Sequence, residues 1–135
     1  MLGETDLNKL IGSMQPVLGE PKYVFASLDK DSCVSIAQLE PLSMFYEKEG
    51  LTVIVLKANA DILNIPYQGV FQCITLNVYS SLDAVGLTAA VSCALAGQGI
   101  SANVVAAYYH DYIFVPVAKS HQALSCLLKL VGDYE

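Results

Sequence analysis

Arginine is absent from this chain, and charge of either sign is scarce. Seven lysines and thirteen acidic residues make up 15% of the 135 residues, against about 25% in an average soluble domain. The net charge is −6. Nucleic-acid binding depends on clustered basic residues that displace counterions from phosphates, and scattered lysines do not supply it. Anionic membrane surfaces are disfavoured on the same ground. Without a guanidinium fork there is no bidentate grip on a carboxylate or phosphate, so any anion would be held by lysine, hydroxyls or backbone N–H groups. The four cysteines, Cys33, Cys73, Cys93 and Cys126, have no paired or metal-type spacing. Each lies in an apolar run, so all four are expected in the core as small hydrophobes. No Ser/His/Asp ordering, Walker-type loop, zinc spacing or GxGxxG stands out, and no catalytic residue, metal or cofactor is expected. The opening MLGETDLNKL lacks a basic stretch leading into an apolar one, so no secretory signal is read and the expected compartment is the cytoplasm.

Apolar residues are what the chain has in excess, at 54%. The length suits one compact domain or two small ones sharing a core, and the surplus apolar surface points to a partner chain, so a homodimer is expected. Ala84 to Tyr109 has no charged residue and is long enough to cross a bilayer, which takes about 20 apolar residues. It is broken by Gly97-Gln98-Gly99 and then by Ser101 and Asn103. A buried helix followed by a buried strand explains it better than a membrane span.

Along the chain, Thr5-Asp6 caps a helix to about Met14, with Leu7, Leu10, Ile11 and Met14 as its stripe. Gln15 to Pro21 reads as a linker, with two prolines and Gly19. Lys22 to Leu28 is a strand, Asp29-Lys30-Asp31 a tight turn, and Ser32 to Gln38 a weaker strand. Pro41 opens a short helix that Gly50 ends, with Met44-Phe45-Tyr46 as helix core or interface. Leu51 to Leu56 is β-branched and a strand, and Asn59 to Gln68 is irregular. Val70 to Tyr79 is a long strand, followed by a helix from about Ala84 with Leu87, Val91, Ala94 and Leu95 inward. Ile100 to Tyr109 and Tyr112 to Val117 form a hairpin through His110-Asp111, Pro116 marking a strand end. Ser120 caps a last helix with Leu124, Leu127, Leu128 and Val131 on one side. Lys22 to Gly50 and Ala102 to Gly132 look like copies of each other. The first half lacks a leading strand and the second a trailing one, which implies two βαββαβ-like units that complete each other's sheet or a neighbour's.

These residues resemble a known family. Asp83-Ala84-Val85-Gly86-Leu87 matches the D-x-x-G-L first loop of ACT domains, and Gly99-Ile100-Ser101 matches the turn that ends their first helix. The hairpin Val104 to Val117 and the closing helix with Ala123-Leu124 and Leu127 follow in the family's order. The resemblance covers residues 70–132 and is strongest to small paired-ACT proteins and aspartate-kinase-type regulatory domains. It implies an α+β fold of two tandem ferredoxin-like units with antiparallel sheets covered by helices, a divergent unit over residues 1–67 and an ACT domain over 68–135. It also implies a non-enzymatic regulatory protein that binds a small molecule, an amino acid first of all. By position, the ligand site would comprise Ser80, Ser81, Leu82, Asp83, Val85, Gly86 and Leu87, with Asn103 on the facing strand.

Elementary chemistry is compatible with that site and with a plainer one. A helix N-terminus offers unpaired N–H groups and partial positive charge to a carboxylate. Asp83 would accept an ammonium group, Ser80, Ser81 and Asn103 would orient the ligand, and Gly86 would let it approach. Equally, Asp83 caps the helix, Gly86 permits close packing, and Asn103 satisfies backbone at a strand start, leaving an association module without a ligand. An acid/base cluster at Tyr109, His110 and Asp111 is the enzymatic alternative; a solvated hairpin tip explains it more simply. His121 is expected on the surface.

Overall fold

The computed structural model describes residues 6–78 and 85–134. The first part contains helix α1 (Leu7–Ser13), strand β1 (Pro16–Leu28), helix α2 (Ile36–Leu39), strands β2 (Ser43–Tyr46) and β3 (Leu51–Leu56), and helix α3 (Lys57–Ile62). Strand β4 (Phe71–Leu76), helix α4 (Leu87–Gly97), strands β5 (Asn103–Ala106) and β6 (Asp111–Pro116), and helix α5 (Ser120–Gly132) follow. Residues up to Glu20 and from Gln72 onward pack as one unit, and Pro21–Phe71 as a second; they are called here the split unit and the inner unit.

In the split unit the strand order is β1-β4-β6-β5, with β1 contributing its first five residues. Read from β4, the chain runs strand, helix, strand, strand, helix, and Pro16–Glu20 supplies the fourth strand of a ferredoxin-like sheet. Asn77 N–H donates to the Gln15 carbonyl at 3.2 Å and Gln72 Nε2 to the Gly19 carbonyl at 3.1 Å, so β1 runs antiparallel to β4. Ile74 and Leu76 of β4, Ile113 and Val115 of β6, Leu87, Val91 and Leu95 of α4, and Ala123, Leu127 and Val131 of α5 form one core. Helix α1 adds Leu10 and Ile11 to it. Its start is set by Asp6, whose carboxylate accepts the Lys9 N–H at 3.1 Å, a conventional N-cap.

The inner unit has the order β2-β3-β1. Tyr23↔Leu56 to Leu28↔Leu51 and Ser43↔Ile54 to Tyr46↔Leu51 set its antiparallel registers. Its separate core is Val24, Ala26, Leu28, Val53 and Val55 from the sheet, under Leu39, Ala60 and Ile65. The element order is again strand, helix, strand, strand, helix, so both units are ferredoxin-like and the sheets are antiparallel under helices, as expected. Among the described residues, no helix is long and apolar enough to cross a membrane.

Several local expectations are corrected. Gln15–Pro21 is not a linker, since residues 16–20 are strand. Prolines are tolerated there because Pro16 is the first strand residue and Pro21 falls before the pairing with β3 begins at Tyr23, where no ladder N–H is required. Ser32–Gln38 is loop and then helix, since the Ser35 hydroxyl accepts the Gln38 N–H at 3.3 Å and caps α2. The helix expected after Pro41 is strand β2 instead, and Asn59–Gln68 begins inside helix α3. The β5–β6 tip is Tyr108-Tyr109, since Ala106 pairs with Asp111 and Ala107 N–H donates to the His110 carbonyl at 3.0 Å. Ser120 does not cap α5 with its side chain; it is buried and donates to the Val117 carbonyl at 3.0 Å. Leu128 lies outside the core, 52% exposed. Cys73 is buried and Cys126 half-buried, but Cys33 and Cys93 are exposed. The repeat is also re-registered. Hairpin β2–β3 corresponds to β5–β6, each closed by the same connection, with Glu47 N–H to the Gly50 carbonyl at 2.9 Å matching Ala107 to His110.

Candidate functional site

Helix α4 opens on a glycine. Gly86 occupies the N-cap with φ 99°, a left-handed conformation that glycine adopts without steric cost. Its carbonyl accepts the Ala90 N–H at 2.9 Å. Glycine has no side chain to cap with, and among the described residues no side-chain cap bond is made at this helix start. Helix α2 differs, because Ser35 already occupies its N-terminus.

The sequence-derived site residues have different fates. Ser80, Ser81, Leu82 and Asp83 lie outside the described residues, as do Tyr79 and Ala84. Val85 is 82% exposed, while Leu87 is buried in the core of the split unit. A Cβ on Gly86 would stand 3.0 Å from Leu7 Cδ2, so the space over this glycine is filled by the first residue of α1. Asn103 is exposed at the start of β5 and paired with Phe114, to whose carbonyl its Nδ2 donates at 3.4 Å. It follows the C-terminal end of α4, a helix about 16 Å long at 1.5 Å per residue. Gly86 thus opens α4, and Asn103 follows that helix at the start of β5.

The hairpin tip has its own chemistry. Tyr108 and Tyr109 are exposed and meet edge to face at 4.9 Å. Among the described residues His110 Nδ1 is buried without a hydrogen-bond partner, and its ring lies 6.4 Å from that of Tyr112. Burial pushes the Asp111 carboxyl above its ordinary range, opposed by the charge of neighbouring His110. Among the described residues no cluster of His, Cys, Asp or Glu could hold a metal ion. His121 is exposed, as expected, and borders a cleft of about 630 Å³ with Pro16–Glu20, Gln72 and Leu124. Sequence reasoning missed this cleft because one wall is the segment read as a linker. In the inner unit a cleft of about 400 Å³ is bordered by Ser27, Asp29, Asp31, Ser32 and Asn64, acidic where the start of α4 is electropositive.

The loop-glycine-helix start and the two ferredoxin-like units agree with the profile matches. Two ACT-domain profiles match, one over residues 2–72 and the other over 70–129. The chain belongs to the ACT domain family. It holds two ACT domains in tandem. A crystal structure of a protein of unknown function from Vibrio cholerae, described as a possible transport protein, is similar at 42% identity and TM-score 0.83. That match covers 93% of this chain and 95% of that one. A protein from Agrobacterium tumefaciens matches at TM-score 0.73 and 16% identity, over 87% and 89% of the two chains. The ligand-free regulatory subunit of aspartate kinase from Thermus thermophilus matches at 0.58 and 9%, over 85% and 95%. The last two likenesses are of fold. No curated protein sequence matches the chain. As an ACT protein it has the family's regulatory, ligand-binding character.

Proposed function

We propose that this paired-ACT protein is a non-enzymatic regulator that binds an amino acid or a similar small zwitterion where the chain enters α4. The segment comprises Ser80, Ser81, Leu82, Asp83, Val85, Gly86 and Leu87. Asn103, at the start of β5, contributes from the facing strand. The observation that carries the reading is the glycine N-cap of α4, which supplies no side-chain acceptor of its own to the first-turn N–H groups. In a chain without arginine, that turn offers a carboxylate backbone N–H groups and the partial positive charge of a helix start. Asp83 is assigned to the ammonium group and Ser80 and Ser81 to orientation. The fold shared with a regulatory subunit of aspartate kinase supports control of a partner rather than chemistry within the chain, and the protein is expected to act as a homodimer.

Thermal shift and calorimetry of the full chain against the standard amino acids test this. A saturating ligand at about a hundred times its Kd stabilises by about 2.7 kcal/mol, and Asp83→Ala should abolish the shift. The reading fails if no amino acid shifts the protein. A second reading, an association module without a ligand, is favoured by Leu7 filling the space beside Gly86; it predicts that no amino acid alters stability at any concentration.

A further inference from the structure

The split unit carries a cleft of about 630 Å³ whose border includes neither the start of α4 nor the β5–β6 tip. It is bordered by Pro16–Glu20 of β1, Gln72 of β4, and His121 and Leu124 of α5, so all of it lies within one unit. That volume is in the range of small-molecule pockets, which combine apolar walls with a few convergent polar groups. Leu18 and Leu124 pack against the core and supply the apolar wall. His121 and Leu124 stand at i and i+3 of α5, on one helix face, which is why both reach the same cleft.

The polar groups of this border are mostly acceptors. The Glu20 carboxylate is exposed and has no hydrogen-bond or ion-pair partner among the described residues. Gln72 donates its Nε2 to the Gly19 carbonyl at 3.1 Å, which leaves its amide oxygen for a ligand. The His121 imidazole can offer a ring nitrogen. The strand edge adds carbonyls. Gln15 and Gly19 direct theirs toward β4, the first to Asn77 N–H and the second to Gln72 Nε2. By the alternation of an antiparallel ladder, Pro16 and Leu18 direct theirs to the other side, where pairing with β3 begins only at Tyr23. Pro16 has no N–H to set against its carbonyl. Among the described residues no lysine borders the cleft, and the chain has no arginine. The start of α5 does not reverse this polarity, since the N–H and the hydroxyl of Ser120 both go to the Val117 carbonyl.

We propose that this cleft binds an organic ammonium, a primary amine on a short apolar body, with its charge on Glu20 and its carbon chain against Leu18 and Leu124. Clefts lined by one sign of charge concentrate ions of the other, and the net charge of −6 acts in the same direction. An amino acid suits the cleft less well than the corresponding amine. Its carboxylate would meet Glu20 and backbone carbonyls, with no cation to receive it. A bare metal ion suits it less well too, because among the described residues no three His, Cys, Asp or Glu side chains cluster. The site is separate from the one proposed at the entrance to α4 and does not depend on it.

The test is titration of the full chain with isopentylamine and phenethylamine, each beside the amino acid that carries the same side chain, leucine and phenylalanine. Binding is read by calorimetry and by backbone amide chemical shifts. The expected result is saturable binding of at least one amine with a Kd of about 1 mM or below. Its shift changes should centre on residues 17–20 and 121–124, where the matching amino acid binds about tenfold more weakly or not at all. Glu20→Gln, at an exposed position, should weaken the amine about tenfold, as expected for losing a hydrogen bond to a charged group. Val17→Lys, on the rim at a residue 50% exposed, should abolish binding by adding a like charge. Failure of both amines to bind overturns the proposal, as does binding that survives both variants or that shifts residues elsewhere. An amino acid that binds at these residues as tightly as its amine overturns the ligand class. Amine binding without any amino-acid binding upholds this site while the α4 reading fails, and the reverse result separates the two in the other direction.

Discussion

Gly86 carries two constraints at one residue, a left-handed φ and the Leu7 side chain against its Cα. Gly86→Ala should cost about 1–3 kcal/mol, and Leu7→Ala should recover the steric share but not the backbone share. Equilibrium unfolding of the two single variants and the double variant separates them. Asp111 gives a pH prediction. Burial raises its folded pKa, so the folded state holds the proton more tightly than the unfolded chain. Its contribution is therefore most favourable at low pH and is lost as pH rises from about 3.8 through the folded value. Asp111→Asn should stabilise the protein at pH 7 by a few tenths of a kcal/mol, at about the level of a screened, half-exposed group, and the gain should vanish near pH 3. Cysteine reactivity follows burial. The Cys73 thiol is pushed up to about 11 by desolvation, opposed only by a backbone hydrogen bond from Ile113. A native thiol titration at pH 8 should modify Cys33 and Cys93 rapidly and leave Cys73 untouched until unfolding, because the thiolate is the reactive species.

At the scale of elements, the two hairpins are the recurring part. In the inner one, a Cβ on Gly50 would stand 2.6 Å from the Leu28 carbonyl oxygen of β1. That neighbour is backbone and cannot swing away, so Gly50→Ala should destabilise by about 2–3 kcal/mol in equilibrium unfolding. The β-branched strand Leu51–Leu56, in which Val53, Ile54 and Val55 are all buried, and the apolar stripe of α4 were legible from the sequence. The start of α4 at Leu87, the strand of Pro16–Glu20 and the strand of Ser43–Tyr46 were not. Each depends on something a local pattern lacks. Gly86 starts α4 through a backbone angle, Pro16 and Pro21 sit where no ladder N–H is needed, and Ser43–Tyr46 has exposed apolar residues that mimic a helix stripe. Cys33 and Cys93 were misread for a related reason, since an apolar run does not reveal which side faces solvent.

For the whole molecule, family and fold were legible through Asp83-Ala84-Val85-Gly86-Leu87 and the order of elements after it. The fourth strand of the split unit comes from residues 16–20, more than fifty residues before β4, and no periodicity announces it. Of the candidate ligand site, Gly86 is found at the start of α4 and Asn103 at the start of β5, while Ser80, Ser81, Leu82 and Asp83 lie outside the described residues. The central claim is that an amino acid binds at the entrance to α4. It is tested most directly by calorimetric titration of the full chain with each standard amino acid, repeated on Asp83→Ala. The account predicts saturable binding of one or a few amino acids that the variant loses while remaining folded. Absence of binding by every amino acid, or binding unchanged in Asp83→Ala, would contradict it.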